Sequence, residues 1–318
     1  MEIRMIRICT ALICLLALAS CQSVLPFQIS MREDENMSDF TAPKGYHRAF
    51  SPAAHNFRRA TGSVGEPVRL GSVSERFELR HGDCDAGDCT NPRARAEIQL
   101  LDSANQARIG QDIWYGWSFY NETVPAFTND NSLRLVFSQW TMGSGERAIL
   151  RFIQLGEGEG DFSRCDPRIC STSDATKGDL VVQLDNLAKF RNWGTAENNG
   201  YICRLFDLTE QREKWVDITM NTNFSTGIDG YLRIWINGNL ACDYSGPLVS
   251  PDSANAGRGA TPEHRRGIFS AWDKRWLASM GEARKPSLVV HYDEFRSGSL
   301  RADVDVRSRI ANSAPPLD

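Results

Sequence analysis

Arg93, Arg95, Glu97 and Gln99 recur at every second position, and Ala94, Ala96, Ile98 and Leu100 fill the places between them. A strand points successive side chains to opposite faces. This segment therefore has an apolar face for a core and a second face bearing two guanidiniums, a carboxylate and an amide. Arginine is a planar, permanently charged fork that fits carboxylates and sulfates. The chemistry on offer is recognition of an acidic ligand. The same pattern also suits a solvated sheet face laced by an Arg–Glu ladder, and this strand alone does not choose between the two.

Such a face needs neighbouring strands to carry it, and the chain supplies them. Short strand-like runs lie at Arg76–Arg80, Arg93–Leu100, Ile113–Tyr120, Leu133–Trp140, Ala148–Leu155, Leu180–Leu184, Trp215–Asn221, Tyr231–Asn237 and Leu288–Arg296, separated by Gly, Asn, Asp and Pro. No strong helical period and no internal repeat appears. Many short strands with turn signals predict an all-β fold, a β-jelly roll or concanavalin-like sandwich of two antiparallel sheets. Gly156–Gly178 and Pro247–Glu263 read as long loops at the sheet edges, of the kind that shape a binding cleft on a rigid sandwich. Arg134, Arg151 and Arg233 interrupt otherwise apolar strands, and their faces are not fixed by the sequence.

The first residues have the form of a targeting segment. Arg4 and Arg7 precede an apolar run, Ile8 to Ala19, that is short for a membrane span. The run closes Leu18-Ala19-Ser20-Cys21, which resembles a bacterial lipobox with Cys21 as the lipidated residue. Gln22 follows rather than Asp, which points to an outer-membrane lipoprotein, with a periplasmic or extracellular protein as the other destination. The expected organisation is a signal peptide at 1–21, a tether and lead-in strand at 22–64, a sandwich domain at 65–305 and a frayed tail at 306–318. Membrane contact is expected only through the lipid anchor, and the protein is expected to be a monomer.

Composition agrees with a globular exported protein. The net charge of −4, from 36 basic and 40 acidic residues, argues against a dedicated nucleic-acid binder. Beyond Cys9, Cys14 and Cys21, six cysteines remain: Cys84, Cys89, Cys165, Cys170, Cys203 and Cys242. Six allow fifteen pairings. Spacing points to Cys84–Cys89 and Cys165–Cys170 as loop staples, which leaves Cys203–Cys242. Zinc is the competing use, but histidines at ligand spacing are missing, and disulfides suit an oxidising compartment.

Several segments, in order, resemble the heparin lyase I type of polysaccharide lyase, including its glucuronan-lyase-like relatives. They are Arg93-Ala-Arg95-Ala-Glu97-Ile98, Trp114-Tyr115-Gly116-Trp117-Ser118-Phe119, Ser138-Gln139-Trp140, Lys214-Trp215-Val216-Asp217, Asp229 to Gly238, Arg266-Gly267-Ile268-Phe269 and Tyr292-Asp293-Glu294-Phe295. The resemblance spans most of residues 65 to 300. It implies a jelly roll whose concave sheet holds an acidic polysaccharide, and β-elimination at a uronic acid. That reaction needs a cation or amide on the C5 carboxylate, a base for the C5 proton and an acid for the leaving O4.

Where the family has Gln-Trp-His, this chain has Gln139-Trp140-Thr141; where it has a tyrosine after Gly-Ile, this chain has Phe269. A threonine hydroxyl is too weak an acid to act as an unaided base near neutrality, and phenylalanine transfers no proton. The carboxylate-binding set the resemblance implies is Arg93, Arg95, Glu97 and Gln139, with Trp140 for stacking and Arg265 and Arg266 completing a clamp. His264 is the candidate base and Tyr244 the candidate acid. His291 fits a core or sheet-face role better. Of Trp114, Trp117, Trp140 and Trp235, one is expected to meet a ligand and the rest to fill the core.

The alternative is a degenerate, glycan-binding surface lipoprotein of the same fold. A glycoside hydrolase ranks last, since no strand offers the necessary pair of carboxylates. No cofactor is expected. The one metal with a place in the resemblance is a structural Ca²⁺ at Asp293, for which no contiguous calcium loop is present.

Overall fold

The computed structural model describes residues 46–50, 53–84, 86–90, 93–100, 107–125, 135–142, 148–154, 178–188, 200–255, 261–270, 276 and 283–317. By contacts the chain divides into Met1–Asp39 and Phe40–Asp318. The first unit, with the expected signal peptide and Cys21, lies outside the described residues. So do Arg134, Cys165 and Cys170.

The strands are β1 (Tyr46–Phe50), β2 (Phe57–Thr61), β3 (Val73–Leu79), β4 (Ala94–Leu100), β5 (Ile113–Asn121), β6 (Leu135–Thr141) and β7 (Ala148–Gln154). They continue with β8 (Asp179–Gln183), β9 (Tyr201–Asp207), β10 (Trp215–Thr222), β11 (Tyr231–Ile236), β12 (Asn239–Ser245), β13 (Glu263–Ser270) and β14 (Leu288–Gly298). They form two seven-stranded sheets, β1-β4-β13-β6-β7-β8-β9 and β12-β11-β10-β5-β14-β3-β2, and every pairing within them is antiparallel. This is the sandwich expected from the alternating runs. It begins earlier than expected, because β1 and β2 come from the segment read as tether and lead-in strand.

Aromatic side chains from the two sheets meet in the core. Trp117 and Phe119 of β5 pack edge-on against Phe152 of β7 and Phe137 of β6, at 5.3 and 5.4 Å between ring centroids. Edge-to-face contacts at this distance are the favoured aromatic geometry. The sheets are also joined covalently. Cys203 of β9 and Cys242 of β12, both on edge strands, are bonded. A crosslink 39 residues apart in sequence removes unfolded-chain entropy equivalent to about 4 kcal/mol. Cys84–Cys89 is formed as well.

Two glycines are required by close approach. A side chain on Gly267, at φ 135°, would meet the carbonyl of Ala96, where the β13–β6 register shifts. One on Gly116 would strike the carbonyl of Val304. The β11–β12 hairpin turns on Asn237 and Gly238, both at positive φ, as an Asn-Gly turn between twisted strands favours.

The tail expected to fray is ordered instead. Helices form at Arg301–Val304 and Val306–Ala311. Val304 and Val306 are buried, and Asp305 caps the second helix by accepting from the Ser308 N–H. The buried Glu294 carboxylate anchors this end, holding Arg296 at 3.0 Å and accepting the Leu317 N–H at 2.7 Å. Two buried valines and a buried carboxylate were not visible as a pattern in so short a segment.

Candidate active site

On β4 the alternation does what the sequence requires. Ala94, Ala96, Ile98 and Leu100 are in the core, and Arg95, Glu97 and Gln99 stand on the opposite face of the first sheet. Strand register carries that face across its neighbours. Gln99 is opposite Arg265, Arg265 opposite Gln139, Gln139 opposite Arg151, and Arg151 opposite Gln183. Residues directly opposed in a ladder share a face. Five adjacent strands, β4, β13, β6, β7 and β8, thus contribute one continuous row of Gln, Arg, Gln, Arg and Gln. At its edges the backbone of His47 pairs with Gln99, and that of Tyr201 with Gln183.

The row is recessed. An outward face of a sandwich is ordinarily wet, yet Glu97 is 0% exposed, Gln183 1% and Gln139 3%. Buried polar groups are normally hydrogen-bonded, and most of these are. Gln139 Nε2 donates to Glu97 Oε1 at 2.7 Å, which fixes the orientation of the amide. Gln99 Nε2 donates to Glu263 Oε2 at 2.8 Å. Arg95 donates through Nη2 to Asp88 at 3.1 Å and through Nη1 to Glu97 at 3.4 Å, and its guanidinium lies 4.5 Å from the centroid of Phe269. Burial opposes the Arg95 charge, but Asp88 and Glu97 outweigh it and its pKa is raised. Asp88 belongs to a short helix, Ala86–Thr90, next to the bonded Cys89. Arg95 is therefore a neutralised, fixed cation.

Arg265 is different. Its Nε is buried and has no hydrogen-bond partner among the described residues. It lies between the amides of Gln99 and Gln139. A buried guanidinium N–H without an acceptor is costly, and a ligand carboxylate would supply the acceptor. The Thr141 hydroxyl, buried nearby on β6, likewise has no hydrogen-bond partner among the described residues.

The expected site residues separate by strand parity. Gln139, Arg95, Glu97 and Arg265 share the recessed face. Arg93 is exposed and precedes β4. Four assignments need correction. His264 is not at the cleft: one position from Arg265, it turns into the core, stacks on Phe295 at 4.2 Å and meets Ser138 Oγ at 3.0 Å. Burial, helped by the Arg266 charge, holds its pKa well below the ordinary value. Arg266 also points inward, bound through two nitrogens to Glu75 at 2.6 and 2.7 Å, with Phe295 beneath it. Trp140 is fully buried among Tyr115, Trp117 and Phe152 rather than open to a sugar. Tyr244 lies on β12 in the other sheet, where its hydroxyl donates to the Pro247 carbonyl at 2.8 Å.

Of the remaining tryptophans, Trp117 is core, and Trp114 stacks on Trp235 at 5.4 Å with Arg301 over Trp235. The sequence marks Arg151 as an arginine interrupting an apolar strand but does not fix its face, and it does not mark Gln183. Arg151 shares β7 with one other polar residue, Gln154, and Gln183 shares β8 with Asp179, a signal without a register until the sheet is formed.

Among the described residues no group of three or more His, Cys, Asp or Glu is arranged to hold a metal ion. Asp293 accepts N–H groups of Arg69 at 2.7 Å and Glu294 at 2.7 Å, and burial pushes its pKa up to about 7. Neighbouring Asp217 is held by the Arg69 guanidinium at 2.8 and 3.0 Å. A side-chain cation and backbone donors serve these carboxylates.

A family profile described as polysaccharide lyase matches residues 42–296. No curated protein matches the chain by sequence. Among solved structures, it is similar to an endo-β-1,4-glucuronan lyase from the fungus Trichoderma reesei, at 13% identity over 81% of this chain and 92% of that one, TM-score 0.46. It is similar also to the alginate lyase AlyC3, at 10% identity over 71% and 74%, TM-score 0.40. A third is the alginate lyase A1-II′, a member of polysaccharide lyase family 7, at 10% identity over 74% and 85%, TM-score 0.40.

Proposed function

Because the chain belongs to the polysaccharide lyase family, we propose that the Gln99–Arg265–Gln139–Arg151–Gln183 row is the floor on which it cleaves a uronate-containing polysaccharide by β-elimination. The observation that carries this reading is the buried Nε of Arg265, without a hydrogen-bond partner among the described residues and directly opposite Gln139, whose amide Glu97 holds in place. A uronate C5–H resists removal because the adjacent carboxylate is already negative. Arg265 and the Gln139 amide take that charge, so the carbanion formed as the C5–H bond breaks is spread onto a stabilised carboxylate. The C5 proton passes to a base, the C–H electrons become the C4=C5 double bond, the C4–O4 bond breaks, and O4 takes a proton from an acid or from water as it leaves. A donor aimed at charge that grows in the transition state is worth about 3 kcal/mol.

The floor around Gln139 among the described residues bears arginine, glutamine, glutamate, threonine and phenylalanine.

Ultraviolet absorbance of the unsaturated C4–C5 product, followed on heparin, glucuronan, alginate and hyaluronan, tests the reading. A rise on one of them that Gln139→Ala and Arg265→Ala abolish is the expected result. Salt-sensitive binding without any rise would overturn it in favour of a glycan-binding protein, with Thr141 and Phe269 as the reason. The finer kinship with the heparin lyase I type rests on the order of the shared segments, and cleavage of heparin in that panel would support it.

Export is part of the same proposal. Arg4, Arg7, the apolar run to Ala19 and the Leu18–Cys21 motif support it, and Cys84–Cys89 and Cys203–Cys242 suit an oxidising compartment. Fatty-acid labelling of the cellular protein, lost in Cys21→Ser, is the expected result; an unlabelled wild type sinks the anchor.

A further inference from the structure

The row alternates in chemistry as well as in position. Cations stand on β13 and β7, and amides on β4, β6 and β8. Arg265 and Arg151 are therefore two ladder steps apart, about 10 Å at the strand spacing of a sheet. Arg151 sits at the row's fourth place with Asp185 Oδ2 3.1 Å from its Nη1, and its side chain is partly exposed. Asp185 opens the short helix Asp185–Ala188 directly after β8, so the guanidinium is steered from the side of the neighbouring strand.

A 1,4-linked chain of pyranoses with equatorial bonds turns each ring over relative to the last. Along one edge of such a ribbon a C5 carboxylate appears on every second ring, and ring hydroxyls face the same way on the rings between. One ring is about as long as one strand spacing. Guanidiniums fit carboxylates, and a carboxamide, with donors and an acceptor, fits hydroxyls. The Gln–Arg–Gln–Arg–Gln order is the complement of that edge.

We propose that Arg151 is a second carboxylate anchor, two rings from the one at Arg265, which makes the row selective for a flat, 1,4-diequatorial polyuronate ribbon. This deepens the lyase reading by naming the substrate's geometry and a specificity-determining residue. It rests on that reading for the role of Arg265 but not on turnover, since both anchors act on binding.

The test is calorimetric titration of the full chain with glucuronan oligosaccharides of graded length, alongside the absorbance assay. For wild type, affinity rises as the oligomer lengthens from a disaccharide to a hexasaccharide. Arg151→Gln weakens the hexasaccharide about tenfold and the disaccharide by no more than about twofold. Arg151→Lys, which keeps the charge, recovers most of the loss, and thermal melting of each variant reports its folding. An equal loss for both lengths, no loss for either, or tighter binding of an axially linked polyguluronate than of glucuronan would overturn the proposal. A wild type that binds with the expected length dependence but yields no unsaturated product would refute the lyase reading and leave the two-anchor row standing.

Discussion

Arg265 and Arg266 are consecutive residues of one strand with the same charge, and they differ in almost everything else. Arg266 turns into the sandwich, 1% exposed, and is closed by the two bonds it donates to Glu75 and by the ring of Phe295. Arg265 turns to the recessed row, where amides flank it and its Nε has no acceptor among the described residues. A guanidinium turned into the core and shut there with its own carboxylate is part of the framework. One left among amides is prepared for a carboxylate the protein does not supply. The outer face of the second sheet resembles neither, since Arg233 and Asp243 there are both exposed and pair in water.

The largest effect should come from breaking the inward pair. Glu75→Ala leaves the Arg266 charge buried and uncompensated, and should cost about 3–5 kcal/mol of stability, read as a drop in the urea midpoint. A small drop would mean the two-bond closure contributes little. Arg265→Ala should do the reverse. It should lower kcat/KM by about 3 kcal/mol, on the order of a hundredfold, and leave the melting curve close to wild type. A melting loss matching that of Glu75→Ala would erase the distinction.

Acidification sharpens it further. Burial holds His264, on the inward side of β13, well below its usual 6.5, and lowers His291 as well. The unfolded chain thus binds more protons below 6.5, so the stability these residues contribute is present above that pH and lost as pH falls beneath it. Asp293 opposes this. Burial raises it from 3.8 to about 7, so its contribution is full below 3.8 and fades as pH rises through 7. Melting temperature should fall from about pH 7 to about 5, and fall more steeply in Asp293→Asn. An unchanged slope in the variant would remove Asp293 from the account.

The smallest effect belongs to the water-exposed pair. Arg233→Ala should change stability by no more than about 1 kcal/mol and leave the absorbance assay as it was. A larger loss in melting would place that face among the structural networks.

The alternation of Arg93 to Leu100, the spaced turn residues and the order of the lyase-like segments made the sandwich and the outward set of Arg95, Glu97 and Gln139 legible in the sequence alone. These are properties of period two, and a strand obeys that period wherever it lies. The short C-terminal helices were hidden because they depend on Gly116 admitting Val304 and on Glu294 holding the chain end, contacts that have no local pattern. The assignments of His264, Arg266 and Trp140 failed for a related reason. Motif proximity placed them beside Arg265 and Gln139, and parity sent each to the other side of the sheet. Only tertiary structure could set the row of five. A strand's own sequence specifies which residues share its face, whereas which residues stand opposite one another is fixed by the register between strands far apart in the chain.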